Sequence, residues 1–463
     1  MTTQSNHSPD TSNQPKSGRG EWRGPPTQET LEAIFPPIAD YAFLSDCENS
    51  CLVAPTGAVE WLCLPRPHDP SVFGTLLDRA AGSFRIAPTE STVPAHRQYV
   101  PGTMVLATTW QTRSGWLAVS DFLAVGPWYR TGARSAHHRR TPGDFDARHM
   151  LVRSALCLHG NVDIALNCEP SFDYGRVDAE WEHVGETYDR VATVNPGFVQ
   201  LTLSGDMRFG IEGRAVRARH RLSEGESAFV VLSWSDTSEP LARDEVDATR
   251  AETSRFWRGW IDGGRFPDHP WRELLQRSAL TLKGLTYAPT GALLAAPTTS
   301  LPEHPGGQRN WDYRYTWVRD AAFALRALHA LGFDTEADDF LAFLGDVLEP
   351  RPSAGAARAH LQVLYPVDGA STPTESELEH LSGYVGSRPV RVGNAAFDQS
   401  QLDILGAIVD CVYEHTRSRD ALSERSWRIV VQAVEAALHS WRDPDRGVWE
   451  IRGEPQNFTF SKV

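Results

Sequence analysis

The spacing of apolar residues changes once along this chain, near residue 245, and that change limits the folds open to it. Before it, apolar and polar residues alternate in short runs broken by Gly, Pro, Asp and Ser, which is the period of half-buried strands. "GTMVLATTWQTRSGWLAVSDFLAV" (102–125) reads as two strands around the turn "TRSG", and "HMLVRSALCLHGNVDIALNCEPSF" (149–172) as two more around "HGN". The runs at 198–205, 215–222 and 227–234 follow the same pattern. Hairpins repeated without intervening helices imply antiparallel sheets stacked as a large β-sandwich.

Beyond residue 245 apolar residues recur every third or fourth position. "VDATRAETSRFWRGWI", "HPWRELLQRSALTLKGLTY", "VRDAAFALRALHALG", "EADDFLAFLGDVL", "DQSQLDILGAIVDCVYEHT" and "SERSWRIVVQAVEAALHSWRD" are therefore predicted helices, paired around a common centre. The connections at 287–317 and 365–394 are long for a compact fold, and loops of that kind commonly carry a site. The expected architecture is α+β and multidomain: a disordered tail over 1–36, poor in aliphatics, a β-sandwich domain over 37–262 and a helical domain over 263–463.

A net charge of -14 and a pI near 5.6 argue against a nucleic-acid or anionic-membrane partner, because nothing offsets repulsion from phosphate, and favour a small neutral substrate. The six cysteines form no CxxC pair and none sits at metal-ligand spacing from a His, so they read as reduced thiols. No apolar run nears the length of a membrane span, and the first 36 residues lack the apolar core of a secretory signal, which points to the cytoplasm. No Gly-rich phosphate loop, dinucleotide fingerprint, G-x-S-x-G or H-E-x-x-H is present. "HHRR" (137–140) reads as a solvated loop. No cofactor or metal is required by the sequence, and dependence on an ion or phosphate is left open.

Three stretches carry candidate chemistry. "NWDYRYTWVRD" (310–320) places Trp311, Tyr313, Tyr315 and Trp317 at alternate positions before a helix starting near Val318, so an extended backbone puts the four rings on one side. Stacked rings suit the C–H faces of a sugar, while Arg319 and Asp320 offer fixed donors and acceptors for its hydroxyls. A core stripe followed by a charged pair at a helix start produces the same pattern. In "DRGVWEIRGEPQNF" (445–458) Glu450 follows Trp449, and a carboxyl beside a large ring loses solvation and gains pKa, as a general acid requires. A Glu on the solvent face of a strand fits the pattern equally. In "RPVRVGNAAFDQSQLD" (388–403) Arg391, Asn394 and Gln399 would bind hydroxyls or cap the helix that follows.

These stretches, with "SGYVGSRPVRVGN" and the early "FPPIADYAFLSDCENSCLVAPTGAVEWLCLPRPHDPSVFGTLLDR", occur in an order that resembles glycoside hydrolase family 15, the glucoamylase family, from about residue 35 to the end. Within that family the chain looks most like the α,α-trehalases of actinobacterial, mycobacterial type. The resemblance implies a β-sandwich followed by an (α/α)6 barrel, and an inverting hydrolysis in which one carboxylic acid protonates the glycosidic oxygen while a second carboxylate activates water. It implies Glu450 as the general acid, Arg319 and Asp320 at the non-reducing glucose, and Tyr313 and Trp317 shaping that pocket. Trp449, Arg391 and Asn394 complete the expected substrate-binding set. The expected activity is hydrolysis of α,α-trehalose to glucose. The alternatives are a glucoamylase- or glucodextranase-type exo-α-glucosidase acting on α-glucans, and a non-catalytic sugar-binding fragment. A homo-oligomer is compatible with the resemblance.

The chain departs from the family at its C-terminal side. The family's general base is a Glu well beyond the general-acid motif, whereas this sequence stops at "FTFSKV" with about half of the twelve barrel helices, so the expectation is a truncated chain lacking the base. A smaller departure is Ala407, where many relatives are acidic.

Overall fold

The computed structural model describes residues 35–91, 93–126, 147–234, 240–348, 361–369, 372–417, 422–448, 452 and 454–455. The tail expected over 1–36 lies outside these except for its last two residues, and "HHRR" (137–140) lies wholly outside them.

Two sheets, antiparallel in every pairing, share one 23-residue strand, Ala147–Glu169. One half of it pairs with Gly115–Val125 and Ser227–Ser233, continuing through Leu106–Gln111 on one side and Thr202–Gly205 on the other. The other half pairs with Ser83–Pro88 and Ala215–Ser223, continuing through Ala58–Cys63, Ser50–Val53 and Ala42–Ser45. Leu44, Phe84, Ile86 and Leu166 from the second sheet meet Trp110, Leu117, Leu151 and Val230 from the first in one buried core. The hairpin predicted around "TRSG" is present, with Trp110 opposite Leu117.

The hairpin predicted around "HGN" is not. The chain runs straight through His159, Gly160 and Asn161 as one strand and passes there from one sheet to the other. Gly160 adopts φ +69°, and a Cβ on it would sit 2.2 Å from the carbonyl oxygen of Ser114, so the turn-like residues serve a kink at a close backbone crossing. The strand predicted over 198–205 is also shorter, Thr202–Gly205.

All six predicted helices form: α1 Arg243–Ile261, α2 Arg272–Gly284, α3 Val318–Ala330, α4 Thr335–Leu348, α5 Asp403–Arg417 and α6 Glu424–Ser440. Val318 and Leu325 of α3, Phe340 and Leu344 of α4, Ile404 and Ile408 of α5, and Ile429 and Ala433 of α6 share one core. Helix α1 packs Phe256 and Trp257 between Met104 and Val125 of the sheets and Leu280 of α2. The buried Glu336 Oε1 of α4 accepts from Lys283 Nζ of α2 at 2.8 Å and from Trp260 Nε1 of α1 at 2.9 Å, so three helices meet on one carboxylate. The pair lowers the Glu336 pKa against the upward push of its burial. All six cysteines are buried free thiols, and among the described residues no helix is long and apolar enough to cross a membrane.

The sheets and helices are joined by polar groups with no access to water. Arg314, between the aromatic residues of 311–317, is fully buried and bonds Asp312 through Nε at 2.9 Å and Nη2 at 2.7 Å. Its remaining donors cross to the sheet side, reaching the carbonyl of Asp69 at 2.8 Å and the Tyr174 hydroxyl at 2.9 Å. Burial alone would lower the Arg314 pKa, and Asp312 outweighs it, holding the guanidinium far above its usual range. Trp61 Nε1 to the Pro297 carbonyl at 2.7 Å and Ser45 Oγ to the Gly284 carbonyl at 2.7 Å reinforce the junction.

Removing one member of such a pair strands the other charge without water. Asp312→Ala is expected to destabilise the chain by about 3–5 kcal/mol. The double variant Asp312→Leu/Arg314→Met should lose less than the single one, as read from urea unfolding midpoints.

Candidate active site

Residues 311–317 are extended because they lie between two neighbours. The Trp311, Tyr313 and Tyr315 carbonyls accept from Ser300, Ala296 and Ala295 at 2.9–3.0 Å, and Thr316–Trp317 pairs with Leu364–Tyr365. Side chains alternate as the sequence predicts, but neither side of the strand is solvent. The even positions Asp312, Arg314 and Thr316 are fully buried. Among the rings, Tyr315 and Trp317 are core residues, 4% and 1% exposed, whereas Trp311 and Tyr313 are partly exposed. Tyr313 and Trp317 touch, with centroids 5.2 Å apart.

Helix α3 begins where this strand ends and carries Arg319 and Asp320 in its first turn. Arg319 Nη1 donates to Asp403 Oδ2 at 2.7 Å and to Gln401 Oε1 at 3.0 Å, and Nη2 reaches the Val448 carbonyl at 3.3 Å. The start of α3, the start of α5 and the segment after α6 thus converge on one guanidinium. Asp445 accepts from the Leu402 N–H at 2.9 Å, and Arg446 N donates to the Ser400 carbonyl at 3.0 Å, which lays that last segment along 400–403. Asp320, the residue after Arg319, is exposed to solvent. The protein mass around it raises its pKa, Arg319 opposes that shift, and Asp403 adds to it.

A second cluster surrounds Trp311. The Arg391 guanidinium lies 4.4 Å from its ring centroid and that of Arg452 4.1 Å. Glu375 serves both cations, at 3.8 Å from Arg391 Nε and 3.0 Å from Arg452 Nη2, and Glu377 lies 3.4 Å from Arg391 Nη2. Asn394 is fully buried and caps the short helical turn Ala395–Asp398, accepting from Ala396 N at 2.9 Å while its amide donates to the Asp312 carbonyl at 3.1 Å. Gly393 N–H donates to Asp312 Oδ2 at 3.1 Å, and with φ +75° and a virtual Cβ 2.0 Å from the Thr374 oxygen, only glycine fits there.

Of the candidate residues, the structure brings Arg319 and Asp320 together at the α3 start and packs Tyr313 against Trp317 in the strand just before it. It places Arg391 with Trp311, and gives Asn394 the capping role. Glu450 and Trp449 lie outside the described residues. Sequence reasoning missed Asp403, Gln401, Glu375 and Arg452. Asp403 and Arg319 are 84 positions apart and carry no motif that links them. Among the described residues no group of three or more His, Cys, Asp or Glu side chains is arranged to hold a metal ion. Partly exposed rings at Trp311 and Tyr313, an ion-paired guanidinium and an open carboxylate offer groups able to grip a polyhydroxylated ligand by hydrogen bonds and ring contacts.

Residues 269–463 match the family "Glycosyl hydrolases family 15" and residues 32–257 match "Trehalase-like, N-terminal". A trehalase of Mycolicibacterium smegmatis is 55% identical over 94% of this chain and 65% of its own length, and one from Mycobacterium tuberculosis is 54% identical over 94% and 64%. Trehalase 1 of Sulfolobus acidocaldarius is 32% identical over 91% of this chain and 68% of its own length. The chain therefore spans just under two thirds of the mycobacterial relatives it matches. Among solved structures, a bacterial glucoamylase complexed with acarbose shares the fold, with a TM-score of 0.51 at 12% identity over 86% of this chain and 66% of that one.

The electrostatics of the corner are testable without a ligand. The Asp320 carboxyl should titrate above the ordinary aspartate value, and Arg319→Met should raise it further, because the opposing cation is gone and Asp403 is no longer neutralised. Carbon-13 NMR of labelled aspartate reads both, and a downward shift in the variant would contradict the assignment.

Proposed function

The chain belongs to glycosyl hydrolase family 15, and from that premise we propose that its activity is the inverting hydrolysis of α,α-trehalose to glucose. What carries the reading is the convergence of Arg319, Asp320, Asp403 and the Val448 carbonyl, which brings the segment leading to Glu450 beside a pair suited to sugar hydroxyls, in a chain whose relatives are trehalases. The proposed architecture has a β-sandwich domain over 37–262, followed by α2–α6 as the first part of an (α/α)6 barrel. The setting is the cytoplasm, which agrees with six buried thiols, and a homo-oligomer is compatible with it.

In this mechanism Arg319 donates to hydroxyls of the non-reducing glucose and Asp320 accepts from two of them. Tyr313, backed by the buried Trp317, sets the wall of that pocket, while Asn394 acts through the Asp312 strand and Arg391 through Trp311. Glu450, beside Trp449, gives its proton to the glycosidic oxygen as the C1–O bond breaks. Water adds to C1 from the opposite face and loses its proton to a carboxylate some 6.5–9.5 Å from the acid, the separation an inverting pair requires. No residue of this chain is assigned that second role. Attack on one anomeric carbon with inversion releases one β-glucose, and the leaving glucose departs as the α-anomer.

The test is glucose release from α,α-trehalose and from maltose, with anomers followed by proton NMR. It compares this chain with a chimera in which the C-terminal part of the Mycolicibacterium smegmatis trehalase follows residue 463. The chimera is expected to hydrolyse trehalose in preference to maltose, giving equal α- and β-glucose at early times, and Glu450→Gln should lower kcat by about 10²–10⁴-fold. Release from maltose alone would favour the exo-α-glucosidase reading. Binding of trehalose without release from any form would favour a sugar-binding protein.

A further inference from the structure

Arg452 stands two residues after Glu450, and its side chain is gripped by groups from distant parts of the fold. Nη2 and Nη1 donate to the two oxygens of Glu375 at 3.0 and 3.3 Å, a forked pair, and Nη2 also reaches Asn394 Oδ1 at 3.5 Å. The guanidinium carbon lies over the Trp311 ring, 4.1 Å from its centroid. Two cations on one indole would repel, and the Glu375 carboxylate shared by Arg391 and Arg452 is what makes the arrangement tolerable. An isolated surface pair holds a segment weakly, because two long side chains must be ordered for a screened attraction. The fork and the stacked ring add direction, and lysine can supply neither.

The other flank is held as well. Val448, two residues before Glu450, gives its carbonyl to Arg319, and Arg446 N donates to Ser400. Only three residues separate the two anchors, so covalent geometry ties the candidate acid to both. A general acid works within hydrogen-bond reach of one oxygen, and a misplacement of about 1 Å can cost 10²-fold in rate.

We propose that Arg452 is a positioning residue, whose forked bond to Glu375 and stacking on Trp311 hold the segment that presents the general acid while Arg319 holds the opposite flank. This rests on the reading of Glu450 as that acid. Trp311, on this account, serves as the surface on which the acid's segment is clamped, which gives the half-exposed first ring of the aromatic stripe its purpose.

Two measurements test it. In the chain itself, hydrogen exchange followed by mass spectrometry should show amides of 447–455 exchanging at least several-fold faster in Arg452→Met, Arg452→Lys and Glu375→Gln, with α3 and the sheets unchanged; equal protection in all four proteins overturns the proposal. In the trehalose-hydrolysing form, Arg452→Met should lower kcat on trehalose by roughly 10²-fold at little cost in KM. The same variant should lose far less on α-glucosyl fluoride, whose leaving group departs without a proton. A rise in KM shared by both substrates would mean that Arg452 touches the sugar, and would overturn the positioning role. Glu450→Gln should show the same dependence on leaving group. If it does not, the assignment of the acid fails while the exchange experiment still decides the clamp.

Discussion

Asp312 and Arg314 carry opposite charges 2.7 Å apart with neither side chain exposed, and the cost of drying both is offset only because every side of the pair is met by a fixed dipole. Arg314 spends its donors on the Asp69 carbonyl and the Tyr174 hydroxyl, and Asp312 takes the Gly393 N–H. These partners come from connections between the sheet strands on one side and from the connection before α5 on the other. The pair can be satisfied only when both have docked, so it couples the register of one short strand to the assembly of the whole chain.

That register governs the site. With the even positions committed to the buried pair, Trp311, Tyr313, Tyr315 and Trp317 must face the other way, and α3 must start where the strand leaves the sheet-side contacts. The first turn of α3 then meets the first turn of α5, where Arg319 finds Asp403, and the last segment is drawn in through Val448 on one side of Glu450 and Arg452 on the other. Arg319 and Arg452 each join one end of this strand to that segment, the first at the helix that follows it and the second through Trp311.

How much of this could be read in advance depended on how local the cause was. All six helices were legible because each buries a stripe set by its own spacing, as Leu325, Leu328 and their neighbours show in α3. The "HGN" segment misled because glycine beside polar residues marks any sharp local conformation, and whether that becomes a hairpin or a kink depends on the strand that crosses it. Reading the stripe as a choice between cavity wall and core was too simple. Trp317 and Tyr315 are core, Trp311 and Tyr313 stand at the edge, and the charged residues between them are fully buried.

By itself the sequence determined a sheet-forming half and a helix-forming half, the place where one gives way to the other, and the extended aromatic strand that leads into α3. Each follows from side-chain periodicity over a few residues, which acts before any distant contact exists. The tertiary structure alone decided that Arg314 would be buried rather than solvated, that Arg319 would pair with Asp403, and that Glu375 would hold Arg452 across a gap of 77 positions. Those outcomes depend on which oppositely charged or dipolar groups the topology delivers to within about 3 Å, and the drier the pair, as at Arg314, the more that proximity outweighs any local preference of the residues themselves.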